Sequence, residues 1–231
     1  MSLLSNERIA VQNPFVRYAQ DAGWTYLPRD EALRLRYGDT GLVLDDVLTG
    51  QLQRLNPEVM NQERAQAVVG AISRLPPTIH GNFQAWEYLR GMKTVFVESE
   101  RRERDVRVID ADSPAANIFH VTEEYTFSNG TPPKIRPDIV FLINGLPVLI
   151  VEAKAATKRD GIDEALDQIR RYHVQGPELM ALTQLFGVTK TPELRYGATW
   201  ATSRKLLFNW RDEQASDPAS GQQPASGGDA S

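Results

Sequence analysis

At 231 residues the chain is long enough for one substantial domain or two small ones, and 41% apolar with 24% charged residues is an ordinary globular composition. It has no cysteine, which excludes disulfides and thiolate sites, and its three histidines, His80, His120 and His173, are too dispersed in sequence to suggest zinc chemistry. A net charge of −4 is the wrong sign for a dedicated DNA-binding domain, so any nucleic acid must be held by a local basic patch or by partners.

The opening MSLLSNERIA lacks a signal-peptide pattern, and no run reaches the length of a membrane span. The expectation is a cytoplasmic protein without a membrane partner. Asn13-Pro14 predicts a helix cap followed by proline at the first helical position, with Phe15, Val16 and Ala19 as the apolar stripe and Gly23 as the stop. The alternative is a start near Glu7 with Pro14 as a kink. Residues 24–27 read as a short strand, 30–36 as a short helix, and 42–55 and 62–75 as longer helices, the last broken by Pro76-Pro77. Residues 83–90 are expected to be helical, with Trp86 and Leu89 facing inward. From Lys93 the pattern turns to strands, at 94–98, 106–109 and 117–127.

Residues 136–156, RPDIVFLINGLPVLIVEAKAA, hold two apolar runs, 139–143 and 148–151, joined through Asn144-Gly145. Both turn residues tolerate positive φ, which predicts a hairpin. Neither run alternates, so both faces are expected to be covered, as in the centre of a sheet. Beyond it, residues 161–174 predict an amphipathic helix with Ile162, Ala165, Leu166, Ile169 and Tyr172 inward. Residues 181–188, 195–199 and 205–210 read as further strands. Residues 212–231 carry no aromatic or branched apolar side chain and read as a disordered tail or linker. No G-x-x-x-x-G-K-[ST] occurs, so a P-loop is not supported.

Three charges interrupt the apolar hairpin: Asp138 at its start, Glu152 and Lys154 at its end. Two carboxylates supply hard oxygen ligands for Mg²⁺, and a lysine can orient or deprotonate an attacking water, which is what a metal-dependent phosphodiesterase needs. The bland alternative is that Asp138 caps a loop and Glu152 pairs with Lys154 at a solvated strand end. Register separates the two. A two-residue Asn144-Gly145 loop sets Asp138 opposite Val151 and points it away from Glu152; a three-residue, Gly-bulged loop or a bulge near Pro137 puts Asp138 on the face of Glu152 and Lys154. On the following helix Gln168 and Tyr172 are four apart and stack on one side, and Arg170 and Arg171 add phosphate-binding charge.

Together Pro137-Asp138, Glu152-Ala153-Lys154 and Gln168 with Tyr172 resemble the nuclease region of the R (restriction, motor) subunit of type I restriction-modification enzymes, a branch of the PD-(D/E)xK nucleases that carries a Gln-x-x-x-Tyr motif. The stretches VQNPFVRYAQDAGWTYL, FVESERRERDVRVID, FHVTEEYTF and RYGATWATSRKLLFNWR are also similar to that family, so the resemblance covers nearly all of residues 5–211. It implies an α/β fold: a mixed central sheet flanked by helices, the restriction-endonuclease-like core. The expected division is a helical section over 1–92 packed on a nuclease core over 93–211, with 212–231 as tail or linker toward a motor domain. The implied activity is Mg²⁺-dependent cleavage of double-stranded DNA with little sequence preference, Mn²⁺ being able to substitute. Asp138 and Glu152 would bind the metal with the Ala153 carbonyl, and Lys154 would serve the water. Gln168, Tyr172, Arg170 and Arg171 would support the site or hold the DNA backbone. Partners would be methyltransferase and specificity subunits, reached through the full-length R subunit, and ATP would enter only through its motor. Two features depart from the family: Gln12 stands where a helix glutamate is common, so that either this carboxylate is dispensable or Glu7 takes its place, and the chain stops in a tail, as a piece of a longer subunit or a truncated product would. The other classes left open are a repair or recombination nuclease, and a non-catalytic module coupling a DNA motor to a methyltransferase.

Overall fold

The computed structural model describes residues 12–190 and 192–210. A helix start near Glu7 and the tail reading of 212–231 fall outside the described residues.

Helix α1 (Asn13–Asp21) has Pro14 in its first turn, where a missing N–H costs nothing, and buries Val16 and Ala19. Gly23, at φ +96°, turns the chain into β1 (Thr25–Tyr26). Four helices follow: α2 (Arg29–Leu35), α3 (Asp45–Leu55), α4 (Gln62–Ser73) and α5 (Ile79–Leu89). The Asn61 side chain caps α4 by accepting from the Arg64 N–H at 2.9 Å, and the Thr78 hydroxyl accepts from Gly81 N–H at 3.3 Å in α5. Strands β2 (Thr94–Val97) and β3 (Arg102–Asp105) make a separate hairpin. Then come β4 (Phe119–Glu123), β5 (Ile139–Ile143), β6 (Leu146–Lys154), α6 (Gly161–Gln175), α7 (Pro177–Leu182), β7 (Leu185–Lys190), β8 (Glu193–Ala198) and β9 (Phe208–Asn209).

Among the described residues seven strands form one mixed sheet in the order β1-β4-β5-β6-β7-β8-β9. β1 runs parallel to β4 and β6 parallel to β7; the other pairs are antiparallel. A parallel β6–β7 pair needs a crossover, which α6 and α7 supply. One face of the sheet packs Val140, Leu142, Ile150, Phe186 and Val188 with Ile162, Ala165, Leu166 and Ile169 of α6 and with α3 and α4. The other buries Val121, Ile139, Phe141 and Val151 under Val16 and Ala19 of α1, with Phe15 and Trp24 edge-on to Phe141. The expected α/β architecture, with helices ahead of and around a mixed sheet, is the one found.

Several elements differ from expectation. Residues 106–109 are not a strand: the strand is the polar Arg102–Asp105, and Val106 and Val108 fill the core from an irregular segment. Residues 181–182 close helix α7 rather than open a strand, because a short buried apolar run has no period that tells helix from strand. Leu42, Val43 and Leu44 are buried ahead of α3 rather than inside it. Helix α5 starts at Ile79, and its buried side is set by the small residues Gly81 and Ala85. Trp86 therefore lies off that side, 38% exposed and stacked on Phe83, while Leu89 does pack on the core.

Candidate active site

The β5–β6 hairpin turns on Asn144 and Gly145, at φ +52° and +87°. The loop has two residues, with Ile143 opposite Leu146 and Leu142 opposite Pro147. By itself that register would turn Asp138 away from Glu152. The pairing then jumps, so that Phe141 faces Leu149 and Ile139 faces Val151. Val148 is the extra residue of a bulge, next to Pro147, which has no N–H for the ladder. The needed shift therefore comes neither from a three-residue loop nor from Pro137 but from inside β6. Its effect is the one required: Asp138 comes opposite Glu152, on the face that α6 covers.

Glu152 is completely buried at the end of β6. Its Oε1 accepts from the Tyr172 hydroxyl at 2.9 Å and from the Asp138 N–H at 3.3 Å. Its Oε2 has no hydrogen-bond donor among the described residues, and the Lys154 Nζ stands 3.9 Å away. Asp138, partly buried, accepts from the Ala153 N–H on Oδ2 at 2.9 Å. In an extended strand a residue's N–H and C=O point to the same side, so the Ala153 carbonyl is also turned toward Asp138. Lys154 Nζ donates to Gln168 Oε1 at 2.8 Å, and Gln168 Nε2 donates to the Tyr172 hydroxyl at 2.8 Å. An ammonium can only donate, which fixes the amide oxygen toward Lys154 and the amide nitrogen toward Tyr172. The tyrosine hydrogen is then committed to Glu152. Helix α6 can approach this closely because it opens on Gly161, where a Cβ would stand 3.2 Å from the Lys154 and Lys190 side chains. That glycine was not singled out in the sequence; only the tertiary contact reveals it.

The electrostatics follow from crowding two carboxylates in low dielectric. Burial, and then the charge of Asp138, push the Glu152 carboxyl well above its usual range, against the pull of Lys154 and Tyr172. Burial also raises Asp138, opposed by the Ala153 N–H and by Lys154. The Tyr172 phenol is raised by burial and then by the Glu152 charge, so it remains a donor. A divalent cation between the two carboxylates would reverse the sign of their environment. Asp138, the free Glu152 Oε2 and the Ala153 carbonyl are hard oxygen donors of the type that Mg²⁺ takes.

Over residues 5–205 the sequence matches the family described as "Type I restriction enzyme R protein N terminus". The chain belongs to that family. It is 37% identical over 134 residues to the MjaVIIP endonuclease subunit of Methanocaldococcus jannaschii, provisionally assigned there to a type I restriction enzyme; the match covers 58% of this chain and 11% of that protein. It is 30% identical over 169 residues to a type I restriction enzyme endonuclease subunit of Staphylococcus aureus strain COL, covering 68% of this chain and 17% of the relative. The HindI endonuclease subunit of Haemophilus influenzae is 24% identical over 196 residues, 81% of this chain and 19% of its own. The chain thus corresponds to between a tenth and a fifth of the length of these relatives.

Within this R-protein N-terminal region, no hydrogen bond among the described residues ties Arg170, Arg171 or Gln12 to the cluster. Arg170 is engaged by Asp167 at 2.7 Å and by the Thr202 carbonyl at 2.8 Å. Arg171 is exposed, with no ion pair among the described residues. Gln12 is buried just before α1, and its Oε1 has no hydrogen-bond partner there, but no hydrogen bond ties it to Asp138 or Glu152. Glu7 lies outside the described residues. Among those described, no third carboxylate or imidazole completes a cluster with Asp138 and Glu152. No helix among them is long and apolar enough to cross a membrane.

Proposed function

We propose that Asp138, Glu152 and Lys154 form the cleavage centre of a DNA endonuclease, a Mg²⁺-dependent phosphodiester hydrolase within a type I restriction enzyme. The observation that carries the reading is the Glu152 Oε2: a buried carboxylate oxygen with no donor, beside a second carboxylate. Such an atom is costly unless a cation meets it. Asp138, Glu152 and the Ala153 carbonyl would hold Mg²⁺, or Mn²⁺ in its place. The bound ion would supply Lewis acidity at the phosphate and a water of lowered pKa.

The chain's own groups divide the remaining work. Tyr172 occupies Glu152 Oε1 and so leaves Oε2 facing the ligand position. Gln168 fixes the Lys154 ammonium through one of its three N–H bonds, leaving two to orient water or to meet charge that develops on the phosphate. Lys154 is only 9% exposed, so its charge acts with little solvent screening. Cleavage would show little sequence preference, since these contacts address phosphate and not base edges. In this reading the region works in a longer R subunit, with double-stranded DNA as substrate and methyltransferase and specificity subunits as partners. ATP would act only through that subunit's motor.

The test is cleavage of circular DNA by the assembled enzyme carrying Glu152→Gln or Asp138→Asn. The expected result is loss of cleavage with ATP hydrolysis retained. Cleavage at the wild-type rate in both variants would refute the assignment, and a wild-type complex that binds and translocates DNA without cutting it would favour a coupling module instead.

A further inference from the structure

Directly after β4 the chain takes an unusual step. Glu124 sits at φ +50°, a left-handed conformation that an L-residue with a side chain adopts only when its surroundings impose it. Its N–H donates to the Asp138 carbonyl at 2.8 Å, and the next N–H, of Tyr125, donates to the Pro137 carbonyl at 3.0 Å. The kink is therefore bonded to the backbone that presents Asp138. From there the Glu124 carboxylate meets two guanidiniums: Arg29 Nη1 at 2.9 Å on Oε2, and Arg136 Nη1 at 3.7 Å on Oε1.

We propose that Arg136 and Arg29, held by Glu124, form a subsite for a DNA backbone phosphate beside the Asp138–Glu152 cluster. The proposal rests on the endonuclease reading and names where its substrate is gripped. One carboxylate between two guanidiniums leaves a net positive charge. Arg136 makes no hydrogen bond among the described residues, and Arg29 spends one donor on Glu124, so most of their N–H groups are uncommitted. Both side chains are 47% exposed. Arg136 precedes Asp138 by two residues, on the segment that leads into β5. Arg29 lines a hollow of about 400 Å³ whose other charged residues are Arg36, Lys134, Asp39, Glu123 and Glu124.

The other cations of that hollow are already engaged. Arg36 is buried and donates to the carbonyls of Ala32, Gly41 and Thr126, and Lys134 is paired with Asp39. In the basic run 101–104, Arg102 and Arg104 are compensated by Glu100. Guanidinium is the side chain best shaped for phosphate, which it can meet with two parallel N–H bonds. The carboxylate is the positioning element. It holds the Arg29 fork by a hydrogen bond and draws the Arg136 charge to the same place at 3.7 Å, so less side-chain freedom is lost when a phosphate arrives.

The experiment measures binding of the full chain to a short labelled DNA duplex by fluorescence anisotropy, without divalent metal, across a salt series starting well below physiological strength. The variants are Arg136→Gln, Arg29→Gln, the double variant, and Arg101→Gln as a control. Arg101 sits in the β2–β3 turn; β3 leads to Val108, which binds Asn144 at the far end of the hairpin from Asp138. Each of the first two is expected to weaken binding about equally across sequences and to reduce the slope of log K against log salt by about one, the double variant by about two. Arg101→Gln should leave the slope unchanged. An unchanged slope in both arginine variants, an equal drop in the control, or no wild-type binding at the lowest salt overturns the subsite. Mn²⁺ titration of the same proteins reads the other question separately. Arginine variants that bind Mn²⁺ like wild type place their defect in DNA contact. A wild type that binds no Mn²⁺ would overturn the metal-centre reading while the salt slopes still judge the subsite.

Discussion

Replacing Glu152 by Gln should stabilise the metal-free protein while abolishing its response to Mg²⁺. The side chain is fully buried, one oxygen lacks a donor, and Asp138 repels it. Replacing buried ionic groups by neutral ones of similar volume gains ~1–4 kcal/mol where desolvation outweighs attraction, and here burial and the Asp138 charge outweigh the pull of Lys154 3.9 Å away. Against that, the Tyr172 bond changes from charge-assisted to neutral, a loss of about 1 kcal/mol. The net gain of roughly 0–3 kcal/mol corresponds to a rise of up to about 10 °C in Tm for a domain of this size. The sign with pH follows from the raised carboxyls. A carboxyl whose folded pKa lies above its unfolded value near 4.5 costs no stability below that value, and costs progressively more as pH rises through its folded pKa. The advantage of the variant should therefore be larger at pH 8 than at pH 5. Wild type should recover with Mg²⁺, by about 2.7 kcal/mol at a concentration one hundred times Kd. Thermal melts followed by circular dichroism at both pH values, with and without Mg²⁺, measure all four terms. A variant less stable than wild type at pH 8 without metal, yet equally stabilised by Mg²⁺, would refute the reasoning.

Tyr172→Phe removes the donor to Glu152 Oε1 and the acceptor for Gln168, so it should cost ~1.5–3 kcal/mol in denaturant unfolding. In the assembled enzyme it should also slow DNA cleavage about 10–100-fold, the usual effect of losing a group that orients a ligand. Gly145→Ala should destabilise by about 2–4 kcal/mol in urea titration, because φ is +87° and the added Cβ would lie 2.8 Å from the Leu44 carbonyl oxygen. Less than about 0.5 kcal/mol would mean that the turn yields freely.

What the sequence made legible follows the range of the interactions involved. Asn144-Gly145 announces a tight turn, and the turn has the positive φ angles that this pair permits. Its burial was not legible: Asn144 accepts from the Ile118 N–H and donates to Val108 and Asn117, contacts 26 to 36 residues away. The spacing of Asp138, Glu152 and Lys154 left their meeting conditional on one extra residue. The sequence reading put that residue in the loop or near Pro137, whereas it sits beside Pro147, because a bulge depends on the partner strand as much as on its own. The link from Lys154 through Gln168 to Tyr172 rests on helical spacing, which is local, and on Gly161 admitting the helix, which is not. Trp86 misled because size suggested burial, whereas Gly81 and Ala85 set the packed side of α5. The Glu124 kink with Arg29 and Arg136 joins positions 95 and 12 residues apart, beyond what any periodicity encodes.

The most direct test of the metal centre is an anomalous difference map from crystals of the protein soaked with Mn²⁺. The account predicts a peak at about 2.2 Å from Glu152 Oε2, also touching Asp138 and the Ala153 carbonyl, and its disappearance in Glu152→Gln. A wild-type map with no density there, or with Mn²⁺ bound only elsewhere, would contradict it.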